Sequence, residues 1–168
     1  MKIRITLYAV VFFIMYLIMC IMPPFLLNGV SPRLLYCGIL ALCMFEREGI
    51  CAVFCIVFGL MTDFAEGIIF GLNTVFMLLL MFACSFLFTK LLSVNILTYH
   101  ICGVMMIFLC DIVYFLLGFM FGGSGDIVMF LLRVTLPKLF TTIPFMFLIY
   151  FIIKSIALKK EWRAYNEE

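Results

Sequence analysis

The chain has 168 residues, of which 68% are apolar and 12% charged, and its formal net charge is +2. Soluble domains carry about 45–50% apolar and about 25% charged residues, so no water-facing shell can be built from this composition. A nucleic-acid-binding role is excluded by the same numbers, because such proteins concentrate basic charge. Uncharged runs at residues 5–32, 67–89 and 91–110, the last interrupted only by His100, point to helices crossing a bilayer core of about 30 Å.

Lys2 and Arg4 precede the first run as they would in a secretory leader. The apolar stretch at 5–22, however, outruns a leader's core of roughly 7–15 residues, and Pro23-Pro24-Phe25 offers no small-residue cleavage site, so a retained first span is expected. Cys20 follows Leu17-Ile18-Met19 rather than the small residues that lipoprotein processing needs. Pro23, Pro24, Asn28-Gly29 and Ser31-Pro32 then form a loop.

A second span is expected at 33–45 and a third at 50–64, divided by a turn at Glu46-Arg47-Glu48-Gly49, whose charges are costly in hydrocarbon. At about 1.5 Å per residue each reaches only some 20 Å, so they must borrow flanking residues, tilt in a thinned region or form a re-entrant hairpin. The fourth span, 71–92, and the fifth, 96–121, need no help and are separated by Lys90, Ser93 and Asn95. Gly122-Gly123-Ser124-Gly125-Asp126 is a loop. Beyond it, 127–136 is either a short interfacial helix before a last span at 137–157, or the start of one long kinked helix.

The expected architecture is therefore an all-α polytopic membrane bundle of about six transmembrane helices, or five plus a re-entrant or interfacial segment. It forms one domain over residues 1–158, with a short cytoplasmic tail at 159–168. With the amino terminus in the cytoplasm, Lys2, Arg4, Arg47, Lys90, Lys154, Lys159, Lys160 and Arg163 fall inside and only Arg33, Arg133 and Lys138 outside. That asymmetry obeys the positive-inside rule and puts both termini in the cytoplasm, with Trp162 and Tyr165 at the interface.

The eight cysteines form no Cys-x-x-Cys pair and there is one histidine, so zinc spacing is absent. Cys51 and Cys55 share a helix face, and the thiols are expected to act as small apolar packing groups. No Gly-x-Ser-x-Gly, phosphate-cradling glycine loop or metal-binding His/Glu spacing occurs, which points away from catalysis and from any cofactor.

Three features stand out against the apolar background. Gly59, Asp63, Gly67 and Gly71 recur every four residues and lead to Asn73. If one helix ran through them they would form a small-residue seam bearing a carboxylate, a packing or partner face. If it did not, Gly67 and Gly71 would shape the loop between the third and fourth spans. Asp111 lies well inside the fifth span, where a charge costs at least about 2.5–3.5 kcal/mol. It needs a partner, with Arg133 or Lys138 the nearest cations; a proton relay would call on His100, eleven residues earlier, and on further titratable groups. Arg133, Pro137, Thr141 and Pro144 make a polar stripe on the last helix, expected to face other helices or a partner rather than lipid.

Gly59-Leu60, Asp63, Gly67 and Gly71-Leu72-Asn73 together resemble the hallmark of the rod shape-determining protein MreD family. The basic start, the proline-bearing loop after the first span, and the Leu136-Pro137, Thr141 and Pro144 positions are similar to that family as well. The resemblance implies a non-enzymatic scaffold of the bacterial inner membrane. It would bind an MreC-like bitopic membrane protein and work, directly or indirectly, with the MreB filament and peptidoglycan synthases in the elongation machinery. Glu66 is an acid added beside the family pattern. An alternative is the substrate-binding membrane subunit of an energy-coupling-factor vitamin transporter, also a compact bundle of about six helices. Such subunits carry an Ala-x-x-x-Ala docking face on the first helix, where this chain has Ala9 followed by Phe13.

Overall fold

Lipid on one side and protein on the other produce the pattern seen in the first helix, α1 (Lys2–Ile21). Tyr8, Phe12 and Met15 recur at helical spacing and are buried, whereas Val10, Phe13, Ile14 and Leu17 on the other side stay exposed. The structure, a computed structural model, describes residues 2–21, 32–66, 70–90, 95–120 and 126–165. Over these the order is α1, α2 (Leu34–Phe45), α3 (Glu48–Glu66), α4 (Leu72–Lys90), α5 (Ile96–Met120), α6 (Ile127–Phe130), a π-helical turn (Leu131–Thr135) and α7 (Leu136–Tyr165), with no strand.

The all-helical expectation holds. Four of the helical segments are long and apolar enough to cross a membrane, with bounds at Arg4–Ile21, Glu48–Ala65, Ile96–Phe119 and Ile127–Leu158. Leu34–Phe45 and Leu72–Phe88 are shorter apolar helices. Large apolar side chains remain exposed on the outside of the bundle, among them Val57, Phe82, Leu109 and Phe140, as lipid-facing surfaces require.

α2 sits at the centre. Its sequence is apolar all round, and ten of its 12 residues are buried, because α1, α3, α4, α5 and α7 all pack against it. At about 18 Å it is too short to cross the core by itself. Walled by other helices, it needs no lipid-matched length.

α3 is longer than its expected bounds of 50–64, covering 19 residues, or about 28 Å. One acid of the expected turn, Glu48, is held inside it. Glu48 stands in the first helical turn, where the positive end of the helix dipole favours a carboxylate, and accepts a 2.6 Å hydrogen bond from the Ser85 hydroxyl. The reversal between α2 and α3 is reduced to Glu46 and Arg47. Glu46 pairs with Arg4 and accepts a 3.1 Å hydrogen bond from Tyr8, so this turn is pinned to α1.

The last segment resolves in favour of one long helix. α6, the π turn and α7 run without interruption. Pro137 has no N–H to give to this continuous helix, and the turn before it closes by i→i+5 bonds, such as Leu136 N–H to the Leu131 carbonyl. The face turned to the bundle is Thr135, Lys138, Thr142, Met146, Ile149 and Ile153, all buried. The expected polar stripe is not on this face: Arg133 and Pro144 are exposed and Pro137 and Thr141 only partly covered by the chain's own helices. Thr141 is instead satisfied within its own helix, its hydroxyl lying 3.1 Å from the Pro137 carbonyl and 3.0 Å from that of Lys138.

Candidate functional site: a polar joint and an intramembrane ion cluster

Helices leave their first N–H groups without partners inside the helix. α4 opens on Leu72 with no acid of its own in the first turn. The missing acceptor comes from the preceding helix. Asp63, three residues before the end of α3 and 2% exposed, accepts the Asn73 N–H on Oδ1 at 2.9 Å. On Oδ2 it accepts the Thr74 N–H at 3.2 Å and the Thr74 hydroxyl at 2.6 Å. A carboxylate beside a helix N-terminus also gains from the dipole. Asp63 is thus a cap delivered across a chain reversal.

Gly59 lies one turn earlier on α3 and lets the helices approach. A Cβ placed there would stand 2.7 Å from the Thr74 Cα, a backbone atom that has no way to give. α3 and α4 make the most extensive helix pair in the molecule. Gly71 serves differently: its φ of +90° belongs to the left-handed region, with open space where a side chain would go. Gly59→Val is therefore expected to destabilise by about 2 kcal/mol or more through overpacking, and Gly71→Ala by only about 1 kcal/mol through backbone strain. Urea or thermal unfolding of the detergent-solubilised protein checks the order; equal effects would refute the distinction.

The four-residue spacing is consequently not one helical seam. Gly59 and Asp63 share a face of α3, while Gly71 is in the turn before α4 and does not continue it. Gly67 lies outside the described residues, as does the side chain of Glu66.

Asn73 extends the joint inward. Its side-chain Oδ1 accepts the Tyr36 hydroxyl from α2 at 2.9 Å and the Tyr114 hydroxyl from α5. Over both tyrosine rings lies the guanidinium of Arg33, 5.1 Å from the Tyr36 centroid and 4.6 Å from that of Tyr114, in cation–π range. Arg33 Nε is in turn 3.7 Å from Asp111 Oδ1.

Asp111 is fully buried, and the same Oδ1 accepts Lys138 Nζ at 2.6 Å. Of the two cations proposed for it, Lys138 is the partner. Arg133 is exposed one turn away and takes no part. Arg33 was placed in sequence at the start of the second span, and its pairing with a residue 78 positions later has no local signature. Asp111 Oδ2 and the Thr135 hydroxyl are buried without a hydrogen-bond partner. His100 does not join the cluster. Its Nδ1 lies 2.8 Å from the Ile96 carbonyl and its ring packs on Phe147 at 4.1 Å, about three turns down α5 from Asp111.

Among the described residues no group of three or more His, Cys, Asp or Glu is arranged to hold a metal ion. Cys37, Cys51, Cys55, Cys84 and Cys110 are buried packing groups, Cys55 donating weakly to the Met77 carbonyl at 3.6 Å. The chain matches no protein-family model, no curated protein and no solved structure. What the geometry offers chemically is a polar core in which Asp63 caps α4 and Asp111 joins α5 to α7 through Oδ1, with Asp111 Oδ2 left without a hydrogen-bond partner.

Proposed function

We propose that the chain is a non-enzymatic scaffold of the bacterial inner membrane, of the rod shape-determining MreD kind, with both termini in the cytoplasm. It binds an MreC-like bitopic protein and through it supports the MreB filament and peptidoglycan synthases during elongation. One observation carries the reading. The residues on which the resemblance rests, Gly59, Asp63, Gly71 and Asn73, are those that build the α3–α4 joint, so the motif corresponds to a physical device rather than to apolar composition. Beside this joint Phe64 and Phe70 stand 76% and 63% exposed, their rings 5.0 Å apart, and form the preferred partner contact.

Depletion in a rod-shaped host is the test. Cells are expected to round up while a tagged MreC-like protein stops co-purifying with the elongation proteins, and an adjacent reading frame for that protein is expected in the genome. Normal shape with intact co-purification would overturn the scaffold reading, and neighbouring transporter ATPase genes with vitamin uptake lost would favour the energy-coupling-factor alternative. Phe64→Ser with Phe70→Ser should weaken co-purification at least about tenfold if the pair is a contact hot spot, with the fold unchanged because neither ring is buried.

A further inference from the structure

We propose that Asn73 couples the α3–α4 joint to the intramembrane ion cluster, so that the two open and close as one unit. Its backbone N–H is held by Asp63 of α3, and its side-chain oxygen receives hydroxyls from α2 and α5. These two tyrosines are the ones whose rings carry Arg33, and Arg33 shares Asp111 with Lys138 of α7. Apart from Arg33 on Tyr36, both at the start of α2, each step is a contact between different helices, and the residues are at most 9% exposed apart from Tyr114, which is partly covered.

Among buried groups, partial satisfaction is costly. Opening the joint would withdraw an acceptor from both tyrosines and loosen the rings that position Arg33. The hold on Asp111 would then loosen, and with it the contact of α2 and α5 with α7. A ligand that engages the α3–α4 joint can in this way alter the packing of α2 and α5 against α7. The inference rests on the contacts alone and stands whether or not the scaffold reading does.

The experiment is a double-mutant cycle on the full chain in lipid nanodiscs or detergent, using Asn73→Ala, Asp111→Asn and their combination, read as unfolding equilibrium constants. The combined effect is expected to fall short of the product of the single effects by about tenfold. A product obeyed within about twofold overturns the coupling. Ser85→Ala with Asp111→Asn, which joins the two ends of the bundle, is the control expected to multiply independently.

A second measurement avoids variants that fail to fold. Cys37 and Cys110 adjoin Tyr36 and Asp111 in sequence and are buried free thiols. Tyr114→Phe, which removes a single hydroxyl, should raise N-ethylmaleimide labelling of Cys110 severalfold and leave Cys51, near the Glu48 end, at its original rate. Unchanged labelling of Cys110, or an equal rise at both thiols, overturns the proposal.

Discussion

Lys138→Met is expected to destabilise the protein by about 3–5 kcal/mol, the range for breaking a buried ion pair from one side. The reason lies less in the pair's own strength than in what is left. Asp111 is fully buried in a helix long and apolar enough to cross a membrane, and without Lys138 it keeps only the longer 3.7 Å contact with Arg33. Asp111→Leu should be as damaging, since it removes the carboxylate that two largely buried cations, Arg33 and Lys138, share. Combining Asp111→Leu with Lys138→Met is expected to recover much of the loss, because an ion pair replaced by apolar groups of similar size is often close to neutral. Recovery should stop short of complete, as Arg33 still loses the Asp111 carboxylate. By contrast, Arg133→Met should leave stability within about 0.5 kcal/mol, the usual range for an exposed position. The measurement is unfolding in detergent at constant micelle composition. Equal losses for Lys138→Met and Arg133→Met would contradict the pairing.

Much of this cluster was legible in advance, because a charge in hydrocarbon demands company and only a few cations are close enough in the chain to provide it. Asp111 follows from that cost, and so does a choice between Arg133 and Lys138 as its partner, which the structure decides for Lys138. Arg33 does not, since it enters from the start of α2 and nothing in its neighbourhood distinguishes it from an ordinary span-edge arginine. Tyr36 and Tyr114 are hidden in the same way among many aromatics; their roles are set by Asn73, a contact across three helices. Other points needed the tertiary structure. Four-residue spacing left a helical seam and a loop as alternatives, and for Gly71 the loop reading holds, because periodicity has no meaning across a chain reversal and its positive φ marks one. The charges at 46–48 suggested a third span starting at 50, yet Glu48 is absorbed into α3 by a partner on α4. Expected bounds for α4 and α5, by comparison, lie within two residues of those observed, since long uncharged runs need no tertiary information.

Asp63→Ala is the second large effect expected, and it tests the joint itself. The substitution removes the acceptor of two buried N–H groups and one hydroxyl at the start of α4, in a place where Asn73 is 5% and Thr74 8% exposed. Each group left unsatisfied costs about 1–3 kcal/mol. Thr74 has some remedy, since its hydroxyl can turn elsewhere, whereas the two N–H groups cannot. A loss of about 3 kcal/mol or more is therefore expected. Asp63→Asn separates hydrogen bonding from charge: its amide keeps one acceptor oxygen but brings an NH2 toward groups that are themselves donors, and it forfeits the favourable charge at the helix N-terminus. It should fall between the wild-type protein and Asp63→Ala. Asp63→Glu carries the charge on a side chain one methylene longer, into a site where Gly59 already brings the α3 and α4 backbones together, and should do no better than Asp63→Asn. An Asp63→Ala protein as stable as the wild type would mean that the cap contributes nothing, and the α3–α4 joint would then rest on apolar packing alone.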